Sequence, residues 1–103
     1  MDSADRPDAA ELTDWAARFA LLGDVTRLQL LVAMHDRPGL AVRELADAAN
    51  VGENAASQAL RVLRDAGWVR AERIGRSVCY TMRSDVIVHR ILHEIIGITH
   101  NGR

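Results

Sequence analysis

The sequence contains no lysine, a single cysteine and only four aromatic residues among 103. One cysteine, Cys79, excludes an intramolecular disulfide and a metal site built from several thiolates of one chain. No apolar run is long enough to span a membrane. The acidic N-terminus also lacks the apolar core of a signal peptide. These absences predict a small cytoplasmic protein whose single core is aliphatic and mainly helical.

Charge is distributed unevenly along the chain, although the formal net charge is only −1. Residues 1–14 carry five carboxylates against one arginine, a balance of −4. Residues 52–83 carry six arginines against three carboxylates, a balance of +3. Such asymmetry says more about partners than the total does, and it points to an anionic partner for the second half of the chain.

The hydrophobic pattern predicts one domain over residues 9–100, preceded by a disordered acidic segment over residues 1–8. Five helices are predicted, over residues 9–22, 25–35, 42–50, 51–67 and 85–99. Asp24 is placed to cap the second helix, and Gly67 to end the fourth. A β-hairpin is predicted over residues 68–82, turning at Gly75-Arg76.

The third and fourth helices, joined by the tight turn Asn50-Val-Gly52, are typical of a helix-turn-helix. The apolar stripe of the fourth helix consists of Ala56, Ala59, Leu60, Val62, Leu63 and Ala66. Its other face carries Ser57, Gln58, Arg61 and Arg64. Hydroxyl, amide and guanidinium groups bind base edges and phosphates, so this face predicts a recognition helix in a DNA major groove. An ordinary helical hairpin is the alternative.

The hairpin after the fourth helix carries arginines along its length and at its tip. A basic hairpin in this position is typical of a wing, and Arg73 and Arg76 are expected to reach phosphates or an adjacent minor groove. The alternative is a solvated hairpin whose arginines serve solubility alone. A helix-turn-helix followed by a basic hairpin indicates DNA binding more strongly than either feature does by itself.

The last predicted helix has a nearly continuous apolar surface, formed by Val88, Ile91, Leu92, Ile95 and Ile98. A chain of this size has little other surface with which to cover it. We therefore expect a homodimer in which a second copy covers the last helix, together with the first helix.

The chain resembles the ArsR/SmtB family of bacterial winged-helix repressors. The matching segments are Leu21-Leu-Gly-Asp-Val-Thr-Arg-Leu-Gln-Leu-Leu31, Val42-Arg-Glu-Leu-Ala46, Ala56-Ser-Gln-Ala-Leu-Arg-Val-Leu-Arg-Asp-Ala-Gly67 and Arg73-Ile-Gly-Arg-Ser-Val-Cys-Tyr80. The resemblance runs from about residue 12 to about residue 96. It implies a mainly α winged helix-turn-helix fold with a β-hairpin wing, a homodimer paired through first and last helices, and release from operator DNA by a metal ion or other inducer.

The sensing sites that the resemblance implies are not reproduced in this sequence. Ala41 and Arg43 occupy the positions of a family Cys-x-Cys, so arsenite, lead or cadmium sensing through that site is not expected. The family's second site, on the last helix, falls on Ser84, Val86, Gly97 and His100, of which only His100 can bind a metal.

A different polar stripe lies along the last predicted helix and consists of Asp85, His89, His93 and His100. His89 and His93 are four residues apart, the spacing at which two imidazoles chelate one ion. Zinc, nickel or cobalt would suit these ligands, and His100 would reach Asp85 only across an antiparallel dimer. The alternatives are a stripe that is only structural, with an inducer that is a small molecule or a redox signal, or with no inducer.

No motif of an enzyme is present: the sequence lacks a phosphate loop, a nucleophile elbow and a His-Glu zinc-protease motif. A module that binds only proteins has no need of the arginine-tipped hairpin. Cys79 is expected to be a small half-buried residue of the hairpin rather than a redox sensor. The sequence thus predicts a DNA-binding regulator whose partners are double-stranded operator DNA and a second copy of itself.

Overall fold

The computed structural model describes residues 6–83, 90–91 and 93–94. Within these residues the secondary structure runs α1 (Ala9–Leu22), α2 (Val25–Asp36), β1 (Leu40–Ala41), α3 (Val42–Ala49), α4 (Glu53–Asp65), β2 (Val69–Ile74) and β3 (Ser77–Met82). The first four predicted helices and the hairpin are confirmed within two residues at each end. The fifth predicted helix lies largely outside the described residues. Residues 90, 91, 93 and 94 of it are described, and all four are helical.

Carboxylate caps begin the first two helices. The Glu11 amide donates to the Asp8 side chain at 2.8 Å, and the Asp8 amide donates back to the Glu11 carboxylate at 3.5 Å, a capping box. The Arg27 amide donates to the Asp24 carboxylate at 3.0 Å, which confirms Asp24 as the cap of α2. Because Asp8 caps α1, ordered structure begins within the predicted lead-in. Residues 1–5 lie outside the described range, so the disorder predicted there stays a prediction.

Arg27 joins the end of α1 to the start of α2. Its Nε donates to the Leu21 carbonyl at 2.9 Å and its Nη2 to the Ala20 carbonyl at 3.2 Å. Arg27 itself is half-buried. It satisfies the Leu21 carbonyl at the end of α1 and shares the Ala20 carbonyl with the Gly23 amide.

The turn of the helix-turn-helix is closed by hydrogen bonds on both sides of Asn50, which adopts a left-handed conformation with φ 59°. The Val51 amide donates to the Ala46 carbonyl at 3.0 Å, and the Asn50 amide to the Asp47 carbonyl at 3.2 Å. This is a Schellman motif, and asparagine tolerates its left-handed residue better than most side chains do. The angle between α3 and α4 is therefore set by local hydrogen bonds.

The end of α4 repeats this arrangement with glycine. Gly67 has φ 81°, the Trp68 amide donates to the Leu63 carbonyl at 2.9 Å, and the Gly67 amide to the Arg64 carbonyl at 2.9 Å. Gly67 is thus confirmed as the C′ glycine of α4. The motif turns the chain directly from the recognition helix into the hairpin.

The core lies where α2, α3 and α4 meet, and Val69 of the hairpin joins it. Its largest fully buried side chains are Leu30, Leu31, Met34, Leu45, Leu60, Leu63 and Val69. On α4 the buried residues are Ala56, Ala59, Leu60 and Leu63. The predicted stripe was wrong at its edges, because Val62 is 42% exposed and Ala66 is exposed. Among the described elements α2, α3 and β2 pack against α4, and they bury a narrower sector of the helix than its apolar one.

A third strand, which the sequence pattern did not indicate, completes the sheet. The two residues of β1 pair antiparallel with β3, with Leu40 opposite Tyr80 and Ala41 opposite Cys79. The strand order is β1-β3-β2, so the second strand of the hairpin is central. This pairing ties the base of the hairpin to the start of α3.

The apolar face of α1 remains largely uncovered by the residues described. Leu12 is 55% and Phe19 59% exposed, and the Trp15 and Phe19 rings stand 5.8 Å apart. Of α1, only Leu22 belongs to the buried core. Exposed side chains of this size on one helix face are expected where another element or subunit packs.

Candidate nucleic-acid interface

The solvent face of α4 presents the four side chains of this helix that the sequence assigned to DNA. Ser57, Gln58, Arg61 and Arg64 are all exposed. At about 100° per residue, Ser57, Arg61 and Arg64 lie within roughly 60° of one another, and Gln58 lies about 60° to one side of Arg61. The buried alanines and leucines on the opposite side anchor the helix, so this polar face is held rigidly outward.

Gln58 lies at the border of this face, beside a cleft between α4 and the start of α2. The cleft has a volume of about 260 Å³ and is lined by Asp24, Thr26, Arg27, Ala55, Gln58, Ala59 and Val62. Gln58 is thus exposed and also lines the cleft.

Asn54 is a residue that sequence reasoning missed. It is exposed in the first turn of α4 and, by helical spacing, lies within about 20° of Arg61 on the same face. The N-terminal residues of a recognition helix are those that contact base edges, and an asparagine amide pairs with adenine. Its spacing of four from Gln58 was the signal that could have identified it.

The hairpin carries its arginines beyond the core. Gly75 has φ 64°, as expected at the first central position of a two-residue hairpin turn, and Arg76 follows at the tip. Arg73 stands opposite Val78 in the register and shares a face with Val69 and Ala71. Since Val69 is buried under the helices and Arg73 is exposed, Arg73 projects on the α4 side of the sheet beyond the edge of the core.

The positive charge of this surface is not offset by neighbouring side chains. Among the described residues, no hydrogen bond or ion pair engages the side chains of Arg61, Arg64, Arg73 or Arg76. Guanidinium groups in this state retain their donors for phosphate oxygens, which they contact in bidentate fashion. Recognition helix and hairpin together form a surface of exposed donors with unopposed cations.

The predicted metal stripe is only partly within the described residues. Asp85, His89 and His100 lie outside them, while His93 is described, helical and exposed. Its ring centre lies 6.4 Å from that of His35 at the end of α2, a residue to which the sequence pattern gave no role. No group of three or more potential ligands occurs in the part of the chain that is described.

Cys79 lies in the middle of the central strand, between Ala41 and Glu72 of its neighbours. It is half-buried and has a free thiol. That position matches the small packing residue expected from the sequence.

Comparison with known sequences identifies the family of the chain. A sequence model of the MarR family matches residues 24–76, which span α2, the helix-turn-helix and the hairpin as far as its tip. The chain belongs to the MarR family. The matched region is the one that carries the polar face of α4 and Arg73.

Two relatives show how this MarR-family chain compares along its length. It is 35% identical over 100 residues to the HTH-type transcriptional regulator NmtR of Mycobacterium tuberculosis, covering 93% of this chain and 82% of that protein. It is 38% identical over 71 residues to a transcriptional repressor SmtB homolog of Synechocystis, covering 69% of this chain and 53% of that protein. Both likenesses are to transcriptional regulators.

Solved structures agree with the architecture. The AntR antimony-specific transcriptional repressor superposes with a TM-score of 0.80 at 30% identity, covering 99% of this chain and 95% of that one. The homodimeric winged helix-turn-helix domain of Mb0332 from Mycobacterium bovis, a possible ArsR-family regulator, superposes with a TM-score of 0.69 at 28% identity. That match covers 96% of this chain and 92% of the domain. The predicted winged helix-turn-helix fold is confirmed.

The MarR-family protein is therefore a DNA-binding transcriptional regulator. Its similar proteins are regulators and not enzymes, in agreement with the sequence prediction. Within the described residues, no helix has both the length and the apolarity required to cross a bilayer.

Proposed function

We propose that this protein is a homodimeric cytoplasmic repressor of the ArsR/SmtB group that leaves its operator when a divalent transition metal binds at the last helix. Ser57, Gln58, Arg61 and Arg64 contact DNA from α4, and Arg73 and Arg76 contact it from the hairpin. The assignment to the ArsR/SmtB group is supported by the matching motifs and by the names of an SmtB homolog and a possible ArsR-family domain among the similar proteins.

The observation that carries the DNA-binding role is the outward polar face of α4, backed by a fully buried Leu60 and Leu63. An α-helix with its side chains is about 10–12 Å across, which fits a major groove about 12 Å wide. With α4 in the groove, Arg73 and Arg76 stand beside it, where the phosphate backbone runs. Base contacts from Gln58 and Ser57 then specify sequence, and the arginines add affinity.

The homodimer is supported by the exposed Leu12 and Phe19 on α1. The last helix, by its sequence, has a second apolar surface of the same kind. A two-fold dimer would place two copies of α4 about one helical turn of DNA apart, and the operator would be a near-palindrome. The likeness to a homodimeric domain from Mycobacterium bovis also supports a homodimer.

The inducer site is proposed on the side chains of Asp85, His89, His93 and His100. Imidazole and carboxylate ligands suit zinc, nickel and cobalt. Neutral imidazoles are required to bind the ion, so metal affinity should fall as the pH drops through about 6.5, the ordinary histidine pKa. A bound ion would hold the two subunits at one spacing. If the operator does not match that spacing, a coupling of about 1–3 kcal/mol changes operator affinity about 5- to 150-fold.

The test measures operator affinity by fluorescence anisotropy, using a duplex selected by the protein from a random pool. Zinc, nickel and cobalt are added separately, and a variant with His89→Ala and His93→Ala is compared with the parent. We expect at least one ion to weaken binding by the parent, and the variant to bind equally tightly with and without metal. If none of the three ions alters binding by the parent, the stripe is structural and the inducer is another molecule, for which the space beside Trp15 and Phe19 is the first place to search.

A further inference from the structure

Two side-chain amides stand on the outward face of α4, in the first half of the helix. Asn54 and Gln58 are both exposed, and they are four residues apart. We propose that each of these amides reads an adenine, so that every half-site of the operator contains two A·T base pairs separated by one other pair. The assignment rests on the proposed function and adds to it the bases that α4 selects.

The spacing of the two amides matches the spacing of base pairs. At about 1.5 Å per residue, Asn54 and Gln58 are separated by about 6 Å along the axis of α4, and their directions differ by about 40°. Base pairs follow one another at about 3.4 Å, so two steps along the duplex cover about 6.8 Å. A recognition helix that lies along the major groove therefore places the two amides over base pairs two steps apart.

Both amides keep their hydrogen-bonding groups available for DNA. Among the described residues, neither the Asn54 nor the Gln58 side chain makes a hydrogen bond. The N–H of such an amide donates to adenine N7, and its carbonyl oxygen accepts from the adenine N6 amino group. Guanine presents two acceptors in the same places, so one of the two bonds is lost. Adenine is therefore the purine that each amide selects.

Charge divides α4 into two halves with different roles. Residues 53–58 carry one charge, the carboxylate of Glu53, whereas residues 59–65 carry two guanidinium groups against one carboxylate. Guanidinium groups bind phosphates, which a carboxylate repels. The first half of α4 is therefore better suited to base edges than to the DNA backbone. By helical spacing, Glu53 points about 100° away from Asn54, so its carboxylate leaves the path of that amide open.

The core fixes the direction in which both amides point. Ala56 and Leu60, which are 0% and 1% exposed, lie on the side of α4 opposite to Asn54 and Gln58. Rotation of α4 about its axis would expose them to water, which costs free energy. Groups carried by a helix held in this way are placed more precisely than groups on a loop. The separation of the two amides is thus a fixed property of the folded domain.

Selection from a random pool of duplexes, followed by sequencing, reveals the bases preferred by the parent and by three variants. We expect two A·T pairs, two steps apart, in each half-site selected by the parent. Asn54→Ala should lose the preference at one of these pairs and Gln58→Ala at the other. Each should bind the parent's duplex about 5- to 150-fold less tightly, the range for one bidentate contact, and bind random duplex as the parent does. Glu53→Ala, the matched neighbour, should keep the preference at both pairs.

A modified base tests one contact directly. 7-Deazaadenine pairs with thymine but lacks the N7 acceptor in the major groove. At the position assigned to Asn54, it should weaken binding by the parent at least about threefold and binding by Asn54→Ala less than about twofold. Gln58→Arg should change the preferred base at its own position from adenine to guanine, because a guanidinium donates to both guanine acceptors. A purely structural role for Gln58 would not produce that exchange.

Three results would overturn the assignment. The first is a parent consensus without two A·T pairs at this spacing, and the second is a parent preference that both alanine variants retain. The third is equal weakening of the parent and of Asn54→Ala by 7-deazaadenine. In each of these cases the parent still selects a sequence, so the proposed DNA-binding function stands. A parent that enriches no sequence from the pool would refute that function and the assignment together.

Discussion

Arg76 at the tip of the hairpin offers a sharp test of the DNA-binding surface, because its side chain is exposed and makes no hydrogen bond or ion pair with the other described residues. Replacing it with alanine removes one exposed cation per subunit. Each lost phosphate contact lowers the slope of log K against log salt by about 0.9. A two-fold dimer loses two contacts, so the slope should become shallower by about 1.8.

The size of this effect follows from the number of arginines in the surface. If Arg61, Arg64, Arg73 and Arg76 each contact a phosphate, the dimer makes eight contacts and the parent slope is about −7. The Arg76→Ala slope should then be near −5.4, and the ratio of parent to variant affinity should shrink about 12-fold between roughly 50 and 200 mM salt. Anisotropy titrations on one operator duplex at four or more salt concentrations measure both slopes.

The matched control is Arg37→Ala, which makes the same change in charge at the exposed C-cap of α2, outside both α4 and the hairpin strands. Its slope should equal that of the parent. A slope unchanged by Arg76→Ala would refute the wing assignment. Equal changes for Arg76→Ala and Arg37→Ala would show that net charge, and not contact, governs binding. A change near 0.9 instead of 1.8 would indicate that only one hairpin of the dimer touches DNA.

Three further predictions concern specificity, stability and assembly. Gln58→Ala should cost about 1–3 kcal/mol on the selected operator and little on random duplex, and equal losses on both DNAs would remove Gln58 from base recognition. Leu60→Ala should destabilise the fold by about 2–5 kcal/mol, since Leu60 is 1% exposed. Calorimetry should then show a melting temperature lower by at least about 8 °C. Val62→Ala, the control, should change the free energy of unfolding by no more than about 0.5 kcal/mol. Phe19→Glu should shift sedimentation at micromolar concentration from dimer to monomer, whereas Ala17→Glu, on the opposite side of α1, should not. A parent protein that sediments as a monomer would contradict the assembly proposed here.

The order of elements was readable from the sequence because it is encoded over short separations. Helical periodicity, the Asp24 cap and the glycine at position 67 are each set by residues within about four positions of one another. The assignment of Ser57, Gln58, Arg61 and Arg64 to the outer face followed from the same periodicity. The charge balance of residues 52–83 then pointed that face toward DNA.

Periodicity was less reliable at the margins of each buried stripe. Val62 is apolar yet 42% exposed, because burial depends on which neighbours cover a helix and over what angle. On α2, Leu28 and Val32 are half-buried, whereas Leu30, Leu31 and Met34 are fully buried. Four other elements, α1, α3, α4 and β3, pack against α2, and together they decide which of its sides is buried.

The sequence by itself thus determined the helix-turn-helix, its wing and the polar face that they present to DNA, since each is a local pattern repeated over a few turns. The tertiary structure alone decided which distant residues meet. It paired Leu40 with Tyr80 across the sheet, turned the Arg27 side chain onto the carbonyls at the end of α1, and set Gln58 against a cleft. It also brought His35 to His93. Such contacts join residues of different elements, and they depend on how those elements pack together, which no pattern within a single element records.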